Sequence, residues 1–352
     1  MREQVTYFLN HEQYIKRCLE LAQKGIGTTR PNPSVGAVLV VDDEIMGEGF
    51  TSPYGGNHAE VNAIQSVGDT ELLKKATIYV TLEPCSHHGK TPPCSDLIIR
   101  SGIPRVVIGC VDTNSLVAGK GIEKLKNAGC EVIIGVLEEE CKKQHRRFFT
   151  FHNQKRPYII LKWAETLDGF IAPESRDERK PVWITNKVSR QLVHQWRAEE
   201  HGILVGTKTA IEDNPKLNVR SWKGENPIRI IIDKELKTSK DSHVYDTSVK
   251  TIFVTEEESH QEGSLFFEQV DFSKSLGKQI CDVLYKHSIQ SIIIEGGSRT
   301  LQTFIDENLW DEARVFKGKL EFGKGVEAPS FDRKEQSIQT IETDELKIYR
   351  ND

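Results

Sequence analysis

Apolar residues in this 352-residue chain come in short runs that alternate with segments of helical period, and that alternation prescribes a layered α/β protein. Residues 11–24 carry Tyr14, Cys18 and Leu21, with Ile15, Leu19 and Ala22, at helical spacing and stop at Gly25, a favourable residue just past a helix end. Beyond it the sequence predicts a hairpin (VGAVLVV, then MGEGF, about Asp42 and Asp43), a helix near 57–67, a strand ATIYVTLE and a helix after Cys94. Strand RVVIGC, helix 119–128 and strand EVIIGV complete a first unit, assigned to 1–145. A charge run closing at Pro157 reads as a helical end followed by a linker over 146–156. The pattern restarts in 157–352 with strands YIILKWA, VWIT, GILVG, PIRIIID, TIFVT and SIIIE, helices 186–200 and 276–287, and a helix TLQTFIDENL. No motif of the first half recurs, so the second unit is a different α/β domain and not a duplicate. The last 25 or so residues, rich in Glu, Lys and Asp, carry no readable pattern.

Composition narrows the partners. Runs such as Val35 to Val41 and Ile292 to Ile294 fall far short of the roughly 20 apolar residues that cross a bilayer, so no membrane span is expected. The polar N-terminus lacks the apolar stretch of a secretion signal, which predicts a cytoplasmic protein with reduced cysteines. A net charge of −5, from 47 basic and 52 acidic residues, argues against a nucleic-acid partner and leaves small phosphorylated ligands open.

The densest chemistry lies in the first unit. His58 opens a predicted helix, Cys85 begins the loop after a strand, and Cys94 opens the next helix. An imidazole and two thiolates supply three zinc ligands and leave a fourth position for water, the arrangement of a catalytic site. Glu60, two residues after the histidine, is placed to take a proton from that water and hand it to a departing amine. H-x-E alone is a chance pattern, and a lone Cys is usually a small core residue, the reading given to Cys18, Cys110, Cys130, Cys141 and Cys281. In this order and at these junctions the three together are specific.

With those residues, the first 145 positions resemble the zinc-dependent cytidine deaminase superfamily. P-N-P-S-V-G-A at 31–37, H-A-E-V-N-A at 58–63, T-L-E-P-C-S-H-H-G-K-T-P-P-C at 81–94 and V-D-T-N-S-L-V-A-G-K-G at 111–121 narrow it. Eight residues between the cysteines, where nucleoside and nucleic-acid deaminases usually have two, resemble the riboflavin-biosynthesis deaminase that is joined in one chain to a reductase. The resemblance implies that Asn32, His87, Lys90, Asp112 and Asn114 hold a pyrimidine and its ribose phosphate. Asn and Asp suit the donor and acceptor edges of such a ring, and Lys90 offers a point charge for phosphate. Thr51 stands where relatives commonly carry a His.

The second unit has no G-x-G-x-x-G after a strand, so the dinucleotide fingerprint of a Rossmann domain is missing. Strand SIIIE leads instead into Gly296-Gly297-Ser298 and a helix, and GILVG ends in Thr207-Lys208-Thr209; either could cradle phosphate or be a plain strand-helix turn. Arg190, His194 and Arg197 share one helix face, with Arg220 a plausible companion; such a stripe binds phosphate or simply faces solvent. L-K-W-A-E-T-L-D-G at 161–169, W-I-T at 183–185, V-G-T-K-T-A-I-E-D-N-P-K-L-N-V-R at 205–220 and E-G-G at 295–297 resemble the reductase half of the same bifunctional family, whose fold is dihydrofolate reductase-like. That resemblance implies NADPH contacts from Trp183, Thr209, Asp213, Gly296, Gly297 and Ser298. It implies substrate contacts from Arg197, Leu217, Arg220, Glu295 and Lys162, with Asp168 a weaker match. Pro181 and Glu165 depart from the pattern. For the whole chain it implies zinc-dependent deamination of 2,5-diamino-6-ribosylamino-4(3H)-pyrimidinone 5′-phosphate, then NADPH-dependent reduction of the ribosyl group, in a homo-oligomer.

Overall fold

The computed structural model divides the chain into two units, Met1–Gln154 and Lys155–Asp352, each built around its own sheet. It describes residues 2–87, 92–113, 118–175 and 182–351, with residues 2–10 by backbone alone.

In the first unit, α1 (Arg2–Gln23) leads into β1 (Gly36–Val41) and β2 (Glu44–Phe50). Between these strands Asp42 (φ 51°) and Asp43 (φ 63°) are both left-handed, as a two-residue type I′ turn requires and as Asp tolerates. There follow α2 (Ala59–Gln65), β3 (Thr77–Leu82), α3 (Cys94–Arg100), β4 (Arg105–Cys110), α4 (Lys120–Asn127), β5 (Glu131–Ile134) and α5 (Glu138–Gln154). The sheet order is β2-β1-β3-β4-β5, antiparallel about β1 and parallel from β3 to β5. Every residue of β1 and β3 is buried; α1 and α5 pack on one face of the sheet and α2 on the other, with α3 beside it. The first unit is thus α/β/α, the layering that its resemblance to the cytidine deaminase superfamily implies.

The linker expected over 146–156 is corrected. As far as Gln154 it is the second half of α5, where Cys141, His145 and Phe149 bury one face at intervals of four residues. The charge run is the outward side of an amphipathic helix, and Lys155 (φ 57°) ends it in a left-handed conformation.

The second unit comprises β6 (Tyr158–Glu165), β7 (Phe170–Pro173), α6 (Lys187–Glu199), β8 (Gly202–Gly206), α7 (Thr207–Asp213), β9 (Ile228–Ile232), β10 (Thr251–Thr255), β11 (His260–Glu262) and β12 (Leu265–Gln269). It continues with α8 (Leu276–Lys286), β13 (Ser291–Ile294), α9 (Ser298–Asp306), β14 (Glu312–Lys317), β15 (Gly325–Glu327), β16 (Ser337–Ile341) and β17 (Asp344–Arg350). Among the described residues ten strands form one sheet, in the order β11-β12-β10-β9-β8-β13-β6-β14-β17-β16. β12 through β14 run parallel, with antiparallel strands at the two rims. Its faces carry separate cores: Ile292 and Ile294 of β13 enter one and Ile293 the other, the two-residue period of a strand buried on both sides.

Two further expectations change. VWIT is not a strand: Val182 and Trp183 are exposed, and the segment leads into the α6 N-cap, where Asn186 accepts the Ser189 N–H at 2.9 Å. The unreadable C-terminal stretch contains the hairpin β16/β17, in which Leu346 is buried while charged residues on either side face outward. No helix among the described residues is long and apolar enough to cross a membrane.

Candidate functional site

β1 runs antiparallel to both β2 and β3, so the carboxyl ends of β2 and β3 and the amino end of β1 share one sheet edge. Open α/β sheets place ligands at such strand ends. His58 caps α2 shortly after β2, Cys85 lies three residues past β3, and Cys94 begins α3. Their ligand atoms all lie within 4.8 Å of one another, the one group of this kind among the described residues. His58 Nδ1 is 3.3 Å from Cys94 Sγ and 3.7 Å from Cys85 Sγ. Bond lengths of zinc to sulfur and imidazole nitrogen give tetrahedral N···S edges of roughly 3.5 Å, so the N···S spacing and the donor chemistry fit Zn2+.

Electrostatics prepare the ligands. The Cys94 N–H donates to Cys85 Sγ at 3.3 Å. Bonds from the Cys94 thiol and His58 hold Cys85 well below the usual thiol range. Glu60, 3% exposed, sits among these groups, and burial followed by the Cys85 thiolate pushes its carboxyl up to about 7.

The expected substrate residues of this unit lie on loops at the same edge. Asn32 precedes β1, His87 is exposed just past Cys85, and half-buried Asp112 follows β4. Lys90 and Asn114 lie outside the described residues. Thr51 is buried, and its hydroxyl accepts the Val35 N–H at 3.0 Å. The sequence reading passes over Glu83, whose partners are backbone amides.

In the second unit the residues gather around Glu295, which follows β13 directly. Arg197 of α6 forks onto it, Nε to Oε1 at 2.8 Å and a terminal nitrogen to Oε2 at 2.7 Å, while Lys162 of β6 approaches to 3.7 Å. Burial alone would raise the Glu295 carboxyl, yet Arg197 and Lys162 hold it at about 2. Burial lowers Lys162 against the pull of Glu295. Arg197 also donates to the Asn218 carbonyl at 3.3 Å, beside buried Leu217 and exposed Arg220, whose N–H donates to His194 Nδ1 at 3.4 Å. The stripe on α6 is therefore not a solvated face: His194 is buried and Arg197 nearly so.

Gly296, Gly297 and Ser298 join β13 to α9 beside the end of β8. A Cβ on Gly296 would stand 2.6 Å from Val205 Cα and 2.8 Å from Gly206 N, and Gly297 has φ 51°. The backbone there is open only to glycine, and Thr209 of α7 lies alongside, 3.5 Å from a Cβ placed on Gly297. Such a cradle fits the phosphates of a dinucleotide. Asp213 ends α7. Trp183 is 52% exposed, with the Arg190 guanidinium 4.8 Å over its ring. Glu165 accepts from Trp163 Nε1 at 2.9 Å, and Asp168 accepts the N–H groups of Phe322 and Gly323 at 3.1 and 2.7 Å. Pro181 lies outside the described residues.

Comparison with known proteins agrees with this geometry. A family model described as "Cytidine and deoxycytidylate deaminase zinc-binding region" matches residues 9–110, and one described as "RibD C-terminal domain" matches 157–349. The riboflavin biosynthesis protein RibD of Aquifex aeolicus is 44% identical over 90% of this chain and 88% of its own, and that of Escherichia coli K12 is 36% identical over 88% and 87%. A crystal structure from Thermotoga maritima, described as a diaminohydroxyphosphoribosylaminopyrimidine deaminase/5-amino-6-(5-phosphoribosylamino)uracil reductase, superposes with a TM-score of 0.89 at 41% identity, covering 98% of this chain and 99% of that one. With relatives matched nearly end to end and both halves accounted for, the chain belongs to the RibD family of riboflavin biosynthesis.

Proposed function

We propose that the first unit removes the amino group of 2,5-diamino-6-ribosylamino-4(3H)-pyrimidinone 5′-phosphate by hydrolysis. We propose that the second reduces the ribosyl group of that product to ribityl, giving 5-amino-6-ribitylamino-uracil 5′-phosphate. The observation that carries the reading is a buried carboxylate, Glu60, set beside a donor trio of one imidazole and two thiols. His58, Cys85 and Cys94 are the residues to hold Zn2+, which when bound supplies a Lewis acid that lets water ionise near neutral pH. Glu60 holds the proton from the attacking water on its carboxylate and delivers it to the leaving amine, which departs as ammonia. Asn32, His87, Asp112 and Asn114 are assigned, with Lys90, to the pyrimidinone and its ribose phosphate, Lys90 supplying the point charge for the phosphate.

In the second unit Lys162, Arg197 and Arg220 set three cations against the single carboxylate of Glu295, which leaves positive charge for a phosphate dianion. Trp183, Thr209, Asp213, Gly296, Gly297 and Ser298 are assigned to NADPH, which supplies the hydride for C1′ of the ribose. The chain's part is to fix the opened sugar in line with that cofactor and to keep its phosphate anchored. The same resemblance leads us to infer a cytoplasmic homo-oligomer, dimer or tetramer, a state that sedimentation of the full chain measures.

A coupled assay on the diaminopyrimidinone phosphate, following ammonia and NADPH separately with bound metal quantified, tests both halves. Glu60→Gln is expected to cut ammonia release at least about 100-fold while leaving NADPH oxidation on the deaminated compound intact. Unchanged ammonia release would remove Glu60 from the mechanism.

A further inference from the structure

We infer that Glu83 is a positioning residue of the deaminase site, closing the loop between β4 and α4 that carries Asp112 and fixing it to the loop that carries Cys85. The inference rests on the functional reading above, in which the β4–α4 loop touches substrate.

Glu83 follows β3 directly and stands two residues before Cys85. It is 7% exposed, and its N–H donates to the Cys110 carbonyl at 3.0 Å, which continues the β3–β4 pairing to the base of the loop. Its side chain then crosses to that loop. Oε2 accepts the N–H groups of Asp112 at 3.3 Å and Gly119 at 3.0 Å; Oε1 accepts those of Gly121 at 2.9 Å and Ile122 at 3.3 Å. Four backbone donors thus converge on one carboxylate, which offers acceptor sites and no competing donor. Loop amides away from water need such partners, and bonds to a carboxylate are the stronger kind.

A helix cap alone does not account for the arrangement. Gly119, Gly121 and Ile122 belong to the start of α4, where a negative group is favoured by the exposed N–H groups of the first turn. Asp112 does not: it lies at the other end of the loop, just past β4. Oε2 joins the two ends. The fit is close, since a Cβ on Gly121 would stand 2.1 Å from the Pro84 carbonyl, and Gly119 turns at φ 77°. Through Glu83, Pro84 and Cys85, the Asp112 backbone is therefore referenced to a metal-ligand loop.

A glutamine at this position keeps the volume but has one oxygen, and its NH2 would face N–H donors, so one end of the loop loses its anchor. The full-chain holoenzyme carrying Glu83→Gln is assayed for ammonia release, with metal content and NADPH oxidation measured on the same preparation. The expected result is a KM for the diaminopyrimidinone phosphate raised about tenfold, a kcat within about threefold of wild type, and unchanged metal content and reductase rate. A fall in kcat with KM unchanged, or loss of metal, overturns the inference. Should the variant not fold, amide exchange on the wild type decides: the Asp112, Gly119, Gly121 and Ile122 amides are expected to exchange slowly and to slow further with product bound. No response to product overturns the inference. Wild-type enzyme that releases no ammonia would fail the functional reading and the inference together, whereas active wild type with an indistinguishable Glu83→Gln fails the inference alone.

Discussion

Glu295 is kept ionised in the interior by two cations on separate elements, and the arrangement is asymmetric in what it tolerates. A buried pair that loses one partner leaves a bare charge, which costs more than the pair contributed. Replacing Arg197 by Met is expected to destabilise the second unit by about 3–5 kcal/mol and to lower kcat/KM for NADPH oxidation, checked by denaturant unfolding and steady-state rates on the deaminated compound. A loss below about 1 kcal/mol would mean that Lys162 alone balances Glu295. At this scale the sequence was legible where few residue types can do the work: His58, Cys85, Cys94 and Glu60 announce metal chemistry because imidazole, thiol and carboxylate have few substitutes. Glu83 was not, because its partners are backbone groups, the amide of Asp112 among them, and any sequence supplies those; His194 showed only as part of a basic stripe, since its burial and its bond from the Arg220 amide leave no mark in the sequence.

Elements were readable in proportion to how much of their surface is buried. β1, β3 and β13 are buried along their whole length, and β1 and the Ile292–Ile294 stretch of β13 show as unbroken apolar runs, while Thr81 alone interrupts that of β3 from Ile78 to Leu82. α5 misled because its exposed side, with Lys142, Lys143 and Arg147, is as polar as a linker, while Cys141, His145 and Phe149 hold the buried side. β17 misled for a similar reason, since its buried Leu346 alternates with charged neighbours. VWIT has strand composition, yet among the described residues it pairs with no strand. Arg147→Pro separates helix from linker at 146–154: a helix interior should lose about 3 kcal/mol or more, whereas a linker would lose almost nothing. Thermal unfolding of the first unit, followed by far-ultraviolet dichroism, distinguishes the two.

Acid should weaken the whole molecule well before its surface carboxylates titrate. Burial holds His145 at about 3; for His194, burial and then the nearby Arg197 and Arg220 give about 4. The unfolded chain takes up both protons near 6.5, so from that pH down to about 4 the unfolded state binds more protons and stability falls as pH falls. Each histidine contributes at most ~1.4 kcal/mol per pH unit. Below 4.5 Glu295 acts in the same direction, since its folded value of about 2 lies under its ordinary one. Glu60, whose folded value of about 7 lies above its ordinary one, opposes one of these histidines down to about 4.5, so unfolding midpoints measured in denaturant should decline from about pH 6 to 4; a flat profile would mean that the native state takes up as many protons there as the unfolded chain. The large sheet has a further consequence, at its two rims. One ends in β11, three exposed residues with His260 and Glu262; the other ends in β16, whose outer row of amides and carbonyls has no neighbour among the described residues. With Ile338 52% exposed there, it is Ser337, Gln339 and Thr340, polar and few, that stand between this protein and open-ended strand addition by its own copies.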